Sequence, residues 1–168
     1  MPHRLAYIAL GSNLGEPRAN VLRAIERLRE LSTKPLVASS LWDTTPVDCP
    51  PGSPRFVNAV VALGPLPGET PESLIVKLQS LEREFGRQPK KTLNEPRVLD
   101  LDLITFGKET RATVQLILPH PRAHERRFVL EPLCEIAPDF EFPNGLGRAA
   151  DLLASLHSDE RVERMGLD

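Results

Sequence analysis

The chain has 168 residues, 40% of them hydrophobic and 26% charged, with a formal net charge of −2. That length holds one domain with a sizeable core, expected to span 1–168, and the charge argues against a broad nucleic-acid surface while leaving room for a local basic pocket. No apolar run approaches the ~18 residues of a membrane span, the N-terminal apolar stretch is too short for a secretory leader, and Cys49 and Cys134 share no metal-like spacing, so they read as reduced thiols of a cytoplasmic protein.

In chain order, "RLAYIALG" (4–11) is β-rich and predicts a first strand ending at Gly11. After "SNLGEP", Val21, Leu22, Ile25, Leu28 and Leu31 recur at helical spacing, with Arg and Glu on the other face. "LVASSLWDTT" (36–45) predicts a second strand and "RFVNAVVAL" (55–63) a third. Thr70, Pro71 and Glu72 announce the next helix as N-cap, first helical residue and first-turn acid; Leu74, Leu78, Leu81 and Phe85 form its apolar stripe, and Gly86 ends it. A polar loop follows, then a strand over 98–106. The residues beyond 107 read as irregular structure with short helices in "RRFVLEPLCEIA" and "GRAADLLASLH". The 17 prolines, roughly twice the usual share of about 5%, cluster at 46–54, 65–71, 119–121 and 138–143 and stiffen the loops.

This order is β-α-β-β-α-β, an α+β fold of the ferredoxin-like kind: an antiparallel sheet carrying helices, with C-terminal additions. The topology serves enzymes, RNA-binding domains and metabolite sensors alike, so function has to come from particular residues.

The segment "NEPRVLDLDLITFG" (94–107) carries the chemistry. Asp100 and Asp102, two apart on a strand, leave by one face and sit amid apolar neighbours, where like charges repel and lose hydration. Two readings stand: the wet face of an edge strand, or two carboxylates held ionised by a divalent cation, for which hard oxygen ligands suit Mg²⁺. Arg97, three residues before Asp100, offers a planar fork either to a phosphate or to Asp100 itself. Arg87, Lys90 and Lys91 precede them in the loop 86–97, as solvated charges or as a flap that closes over an anionic ligand. "LPHPRAHERRFVL" (118–130) adds His120, Arg122, His124, Arg126 and Arg127. No third ligand joins the two histidines for zinc, and imidazole and guanidinium contacts to phosphate fit the setting better. "GSN" (11–13) reads as a structural turn. Phe56 and Phe128 read as core residues or, near Asn58, as a sandwich for a flat heterocycle.

Together these segments resemble the 6-hydroxymethyl-7,8-dihydropterin pyrophosphokinase family of the folate pathway. "EPRVLDLDLITFG" resembles its signature, "AYIALGSNLGEP" its first strand and turn, "FVNAVVAL" its substrate-side strand, "LEREFGR" its helix end, and "LPHPRAHERRFVLEPLCEIAPDFEFP" its C-terminal block. The resemblance covers most of residues 5–143 in the family's order.

It implies pyrophosphate transfer from ATP to the pterin's hydroxymethyl oxygen, with attack on the β-phosphorus and release of AMP. Asp100 and Asp102 would hold two Mg²⁺ ions. Arg87, Arg97, Asp100 and Asp102 would be catalytic. Gln79, Glu82, Arg87, Arg97, Leu103, His120 and Arg126 would face ATP. Thr44, Thr45, Val47, Phe56, Asn58, Asp100 and Phe128 would form the pterin site. The chain departs from one branch of the family at Pro89, where a second arginine stands, and at Asn94, where a tryptophan stands. Phe56 replaces a tyrosine of some relatives, and Gln115 and Pro121 stand where relatives carry arginine and tyrosine. Relatives can be fused to neighbouring folate enzymes; a monomer that binds neither membrane nor nucleic acid is the expectation here. The alternative of another class is a ferredoxin-like nucleotide- or metabolite-binding module without turnover. RNA recognition is disfavoured because "AYIALG" and "FVNAVVAL" lack the basic-aromatic pattern of RNA-binding strands.

Overall fold

A computed structural model describes residues 4–44, 55–86, 98–157 and 160–166. Its elements follow the expected order. Strand β1 (Ala6–Ser12) leads to helix α1 (Pro17–Arg29), and two short strands, β2 (Val37–Ala38) and β3 (Trp42–Thr44), precede β4 (Phe56–Leu63). Helix α2 (Pro71–Glu84) and strand β5 (Asp100–Phe106) complete the core. A small hairpin, β6 (Arg111–Ala112) with β7 (Ile117–Leu118), is followed by α3 (Arg127–Ile136). A second hairpin, β8 (Glu141–Phe142) with β9 (Gly147–Arg148), leads to α4 (Ala149–Ser155) and β10 (Val162–Arg164).

Among the described residues the main sheet runs β10-β3-β4-β1-β5, with β2 also on β4, and every pairing is antiparallel. The order β5-β1-β4-β3 is the ferredoxin-like arrangement, and β10 extends its edge.

The predicted second strand is broken in two. Ser39 and Ser40 interrupt it because their side chains offer the backbone other partners. The Ser39 hydroxyl accepts from the Val60 N–H (2.9 Å) and donates to the Ser40 carbonyl (2.7 Å), and Ser40 is held by Glu135 of α3. The stripe of α1 also differs from the expected one: Asn20, Val21, Ala24, Ile25 and Leu28 are buried, whereas Leu22 faces outward. Helix α2 starts as predicted, with Thr70 and Ser73 bonded reciprocally, side chain to backbone. It ends before Gly86, whose φ of +95° favours glycine.

The strands read as near-continuous apolar runs because both sheet faces are covered. Ala6, Ile8, Leu10, Val57, Val61, Leu101 and Leu103 pack with α1 and α2 in one cluster. Ala9, Val60 and Ile104 pack with Val129, Leu130 and Leu133 of α3 in the other. Burying each such leucine or isoleucine contributes about 1.5–3 kcal/mol before cavity and entropy terms. A bulge in β5 exchanges its faces: Tyr7 pairs with Thr105 but Ile8 pairs with Leu103, leaving Ile104 extra. Phe106 consequently joins Leu103 in the first cluster, although simple alternation would set it beside Asp102.

Candidate active site

The apolar contacts with α3 and α4 stop at Ala9, Val60 and Ile104. Beyond them the same sheet face turns polar. Asn58 pairs with Gly11, and Gly11 with Asp100, so the three form one row across β4, β1 and β5. Asp102 stands in the neighbouring row, opposite Ala9. Both carboxylates lie before the bulge, so they leave by one face as the alternation predicts. With neighbouring strands about 4.8 Å apart, Asn58 and Asp100 stand about 10 Å apart at their Cα atoms.

At the β4 end of the row the side chains are tightly held. Thr44 Oγ donates to Asn58 Oδ1 (2.7 Å), and Asn58 Nδ2 donates to the Leu10 carbonyl (3.2 Å). Thr44 and Asn58 are both buried, and Phe56, opposite Thr44 in the register, is half-buried. The turn after Gly11 is anchored by α1, where Asn20 Nδ2 donates to Ser12 Oγ (3.3 Å) and to the Leu14 carbonyl (3.1 Å).

At the β5 end His120 sits beside the carboxylates. Its backbone N–H donates to the Ile104 carbonyl (2.9 Å), and its Nε2 lies 3.9 Å from Asp102 Oδ1. Burial pushes its pKa down to about 4, and the charge of Arg126 adds to this while Asp100 opposes it. The ring is therefore neutral near pH 7. Arg126 immediately precedes α3 and lies 5.4 Å from the ring centroid of Phe128. The start of α3 thus brings a cation and an aromatic ring towards the row.

Beside Asp102 and His120 opens a cavity of about 250 Å³. Its walls include Ile75 of α2, Leu101 and Leu103 of β5, and Val114, Gln115 and Ile117 around the β6–β7 hairpin. Pro121 joins them. The hairpin is closed by Thr113, whose N–H donates to the Leu116 carbonyl (3.0 Å) and whose hydroxyl accepts from the Leu116 N–H (3.0 Å).

The structure thus brings Thr44, Asn58, Asp100, Asp102, Leu103, His120 and Arg126 to one end of the sheet, with Phe56 and Phe128 next to them. Glu82 lies at its margin, one carboxylate oxygen accepting from the Leu101 backbone N–H (2.7 Å). Gln79 is exposed on α2 and does not line the cavity. Thr45, Val47, Arg87 and Arg97 lie outside the described residues, as do Pro89, Lys90, Lys91 and Asn94. Three contributors escape the sequence reading. The hairpin wall is one, although the alternation in "RATVQLIL" hints at strands. Glu135 is another: it bonds the Ser40 N–H (3.1 Å) and Trp42 Nε1 (2.9 Å), tying α3 to β3. The third is Gly11, over which the Asn58 amide and the Phe56 ring close tightly: a Cβ there would stand 2.9 Å from Asn58 Nδ2.

A family model described as 7,8-dihydro-6-hydroxymethylpterin-pyrophosphokinase matches residues 7–138. The 2-amino-4-hydroxy-6-hydroxymethyldihydropteridine pyrophosphokinase of Pseudomonas aeruginosa is 41% identical over 160 residues, which cover 95% of each chain. The Haemophilus influenzae protein of the same name is 40% identical over 143 residues, 83% of this chain and 85% of its own. A solved Plasmodium falciparum HPPK-DHPS structure with pteroate superposes with a TM-score of 0.70 over 91% of this chain and 42% of that one. At 13% identity that superposition speaks for the fold alone. From the matched residues and these relatives, the chain belongs to the 7,8-dihydro-6-hydroxymethylpterin-pyrophosphokinase family and is an ATP-dependent pyrophosphokinase of folate synthesis.

Proposed function

We propose that this chain, as one pyrophosphokinase domain over 1–168, transfers the pyrophosphate of ATP to the hydroxymethyl oxygen of 6-hydroxymethyl-7,8-dihydropterin. The hydroxyl oxygen attacks the β-phosphorus in line with the bridging oxygen of the α-phosphate. A bond forms from that oxygen to phosphorus, the α–β bridge breaks, AMP leaves, and the hydroxyl proton is released. The row Asn58–Gly11–Asp100 carries this reading. It holds an amide suited to a heterocycle's edge and a carboxylate suited to phosphate chemistry on one sheet face, with their Cα atoms about 10 Å apart.

Two magnesium ions fit the donor set. Asp100 and Asp102 offer hard oxygen ligands on one face, both half-buried, and the adjacent neutral imidazole presents an N–H, not a lone pair. When bound, magnesium neutralises charge on the phosphate oxygens and orients them. The protein's share is positioning and electrostatics, which is what phosphoryl-type transfer chiefly requires. Nε2–H of His120 and the Arg126 guanidinium donate to the triphosphate. Arg87 and Arg97 add two more cations, a role that rests on the sequence. The apolar cavity lined by Leu103 takes the adenine, and Gln79 and Glu82 stand on the helix beside it. Phe56 and Phe128 stack on the pterin, Asn58 and Thr44 meet its edge, and Thr45 and Val47 complete its pocket.

We place the protein in the cytoplasm as a monomer, in keeping with its thiols. Among the described residues no helix is long and apolar enough to cross a membrane.

The test is AMP formation from ATP and Mg²⁺, with and without the pterin. Pterin-dependent AMP that disappears in Asp102→Ala is the expected result. ATP binding without AMP formation would favour a binding module.

A further inference from the structure

Gly11 lies in the middle of the site row, yet its backbone does not call for glycine: it is a strand residue outside the positive-φ glycines of the chain. Space explains it instead. A Cβ at this position would stand 2.9 Å from Asn58 Nδ2 and 3.7 Å from Phe56 Cδ1. The first distance is closer than a carbon and an amide nitrogen tolerate, so one of them has to move. The amide is poorly placed to yield. Asn58 is only 5% exposed, with its oxygen held by Thr44 and its nitrogen by the Leu10 carbonyl. Any shift that relieves the collision strains or breaks one of those bonds, and in a buried site the freed groups find no water.

We infer that Gly11 is a positioning residue for the heterocycle: by carrying no side chain it opens the slot in which the Asn58 amide takes the pose that meets the pterin's edge. The inference rests on reading this cleft as the pterin site. Gly11 acts through Asn58 and touches neither the phosphates nor the reacting oxygen. Its effect therefore belongs to the pterin and not to ATP: Asp100 pairs with Gly11, but the atoms nearest to such a Cβ belong to Asn58 and Phe56, and Asp102, His120 and the cavity lie a row away.

The experiment is a double-mutant cycle on binding. Calorimetry measures a non-hydrolysable ATP analogue with Mg²⁺, and then the pterin in its presence. The proteins are the natural chain, Gly11→Ala, Asn58→Ala and the double variant. If the natural chain does not take up the pterin, the reading of the cleft fails and the inference falls with it. If it does, the cycle addresses Gly11 alone. Gly11→Ala is expected to weaken pterin binding by roughly tenfold or more while changing affinity for the ATP analogue by less than about twofold. In the Asn58→Ala background, where the methyl has room, the same change is expected to weaken pterin binding by less than about threefold. Natural pterin affinity in Gly11→Ala, or losses that multiply independently in the double variant, would overturn the inference. Should Gly11→Ala fail to fold, a folded double variant still supports it. Failure of both places the obstacle elsewhere than the Asn58 amide and overturns it.

Discussion

The backbone N–H of Arg122 donates to Nδ1 of His120 at 3.1 Å, two residues away. An imidazole nitrogen that accepts carries no proton, so in the neutral ring the proton sits on Nε2, which faces Asp102. The loop therefore presents His120 as an N–H donor towards the carboxylate pair, where a phosphate oxygen is expected. Replacing it with alanine removes a hydrogen bond to a charged group, worth about 1.5–3 kcal/mol. We expect kcat/KM for ATP to fall roughly ten- to hundredfold, with glutamine, which keeps an N–H, recovering part of the loss. Steady-state kinetics at saturating pterin check this.

The same ring makes the apoprotein sensitive to acid. The folded pKa of His120 is about 4, below the 6.5 of an unfolded chain. Its neutral burial therefore contributes stability in full above about pH 6.5, and that contribution is lost as the pH falls from there through 4. Urea midpoints measured from pH 7 to pH 4 should fall less steeply in His120→Gln than in the natural chain, and parallel slopes would refute the prediction.

Thr44→Val keeps the shape of Thr44 but removes the hydroxyl that orients Asn58 (2.7 Å). The Asn58 oxygen then lacks its donor in a buried setting, a cost of about 1–3 kcal/mol. Pterin affinity should drop by an order of magnitude, and the urea midpoint should fall. Binding of an ATP analogue, measured by calorimetry, should remain as it was.

Glu82 joins α2 to the edge of β5 at the residue between the two aspartates. Among the described residues strand β5 has a neighbour in the sheet on one side only, so its outward N–H groups need other partners. Glu82→Ala is expected to destabilise the fold by about 1–3 kcal/mol and to accelerate amide exchange at Leu101. Mg²⁺-dependent nucleotide binding should weaken in parallel. Unchanged exchange at Leu101 would show that the contact is not maintained in solution.

Glu135 supplies a second handle on pH. Burial alone would raise its pKa, but hydrogen bonds from Ser40 and Trp42, with the charge of Arg164, outweigh that and lower it. A carboxylate held below its ordinary value of 4.5 contributes stability above that pH and loses it as the pH falls through the folded value. Trp42 is the sole tryptophan, so its emission reports the contact directly. Glu135→Gln should flatten the fall in thermal stability below about pH 4.5 and shift the tryptophan emission of the folded protein at pH 7.

The core order of strands and helices could be read from the sequence because each element announces itself locally. Apolar residues recur at helical spacing in α1 and α2, Thr70 and Gly86 mark the ends of a helix, and three strands stand out as apolar runs. The reading of 36–45 as one strand fails because nothing local shows that Glu135, some ninety residues on, holds Ser40 and Trp42. Leu22 misled for a related reason. Spacing defines a stripe, but which edge of it is covered depends on what packs there.

By itself the sequence determined the chemical inventory: two aspartates on one strand face, cations on either side of them, and the family to which these belong. Strand alternation is a property of consecutive residues, so it needs no tertiary information. Only the tertiary structure decided which groups meet. Strand register set Asn58, Gly11 and Asp100 in one row, the bulge at Ile104 decided where that face ends, and the β6–β7 hairpin closed a cavity beside Asp102. The orientation of the Asn58 amide, the burial of His120 beside Asp102 and the close approach of Asn58 to Gly11 arise from contacts between distant segments, where packing sets distances that no local pattern encodes.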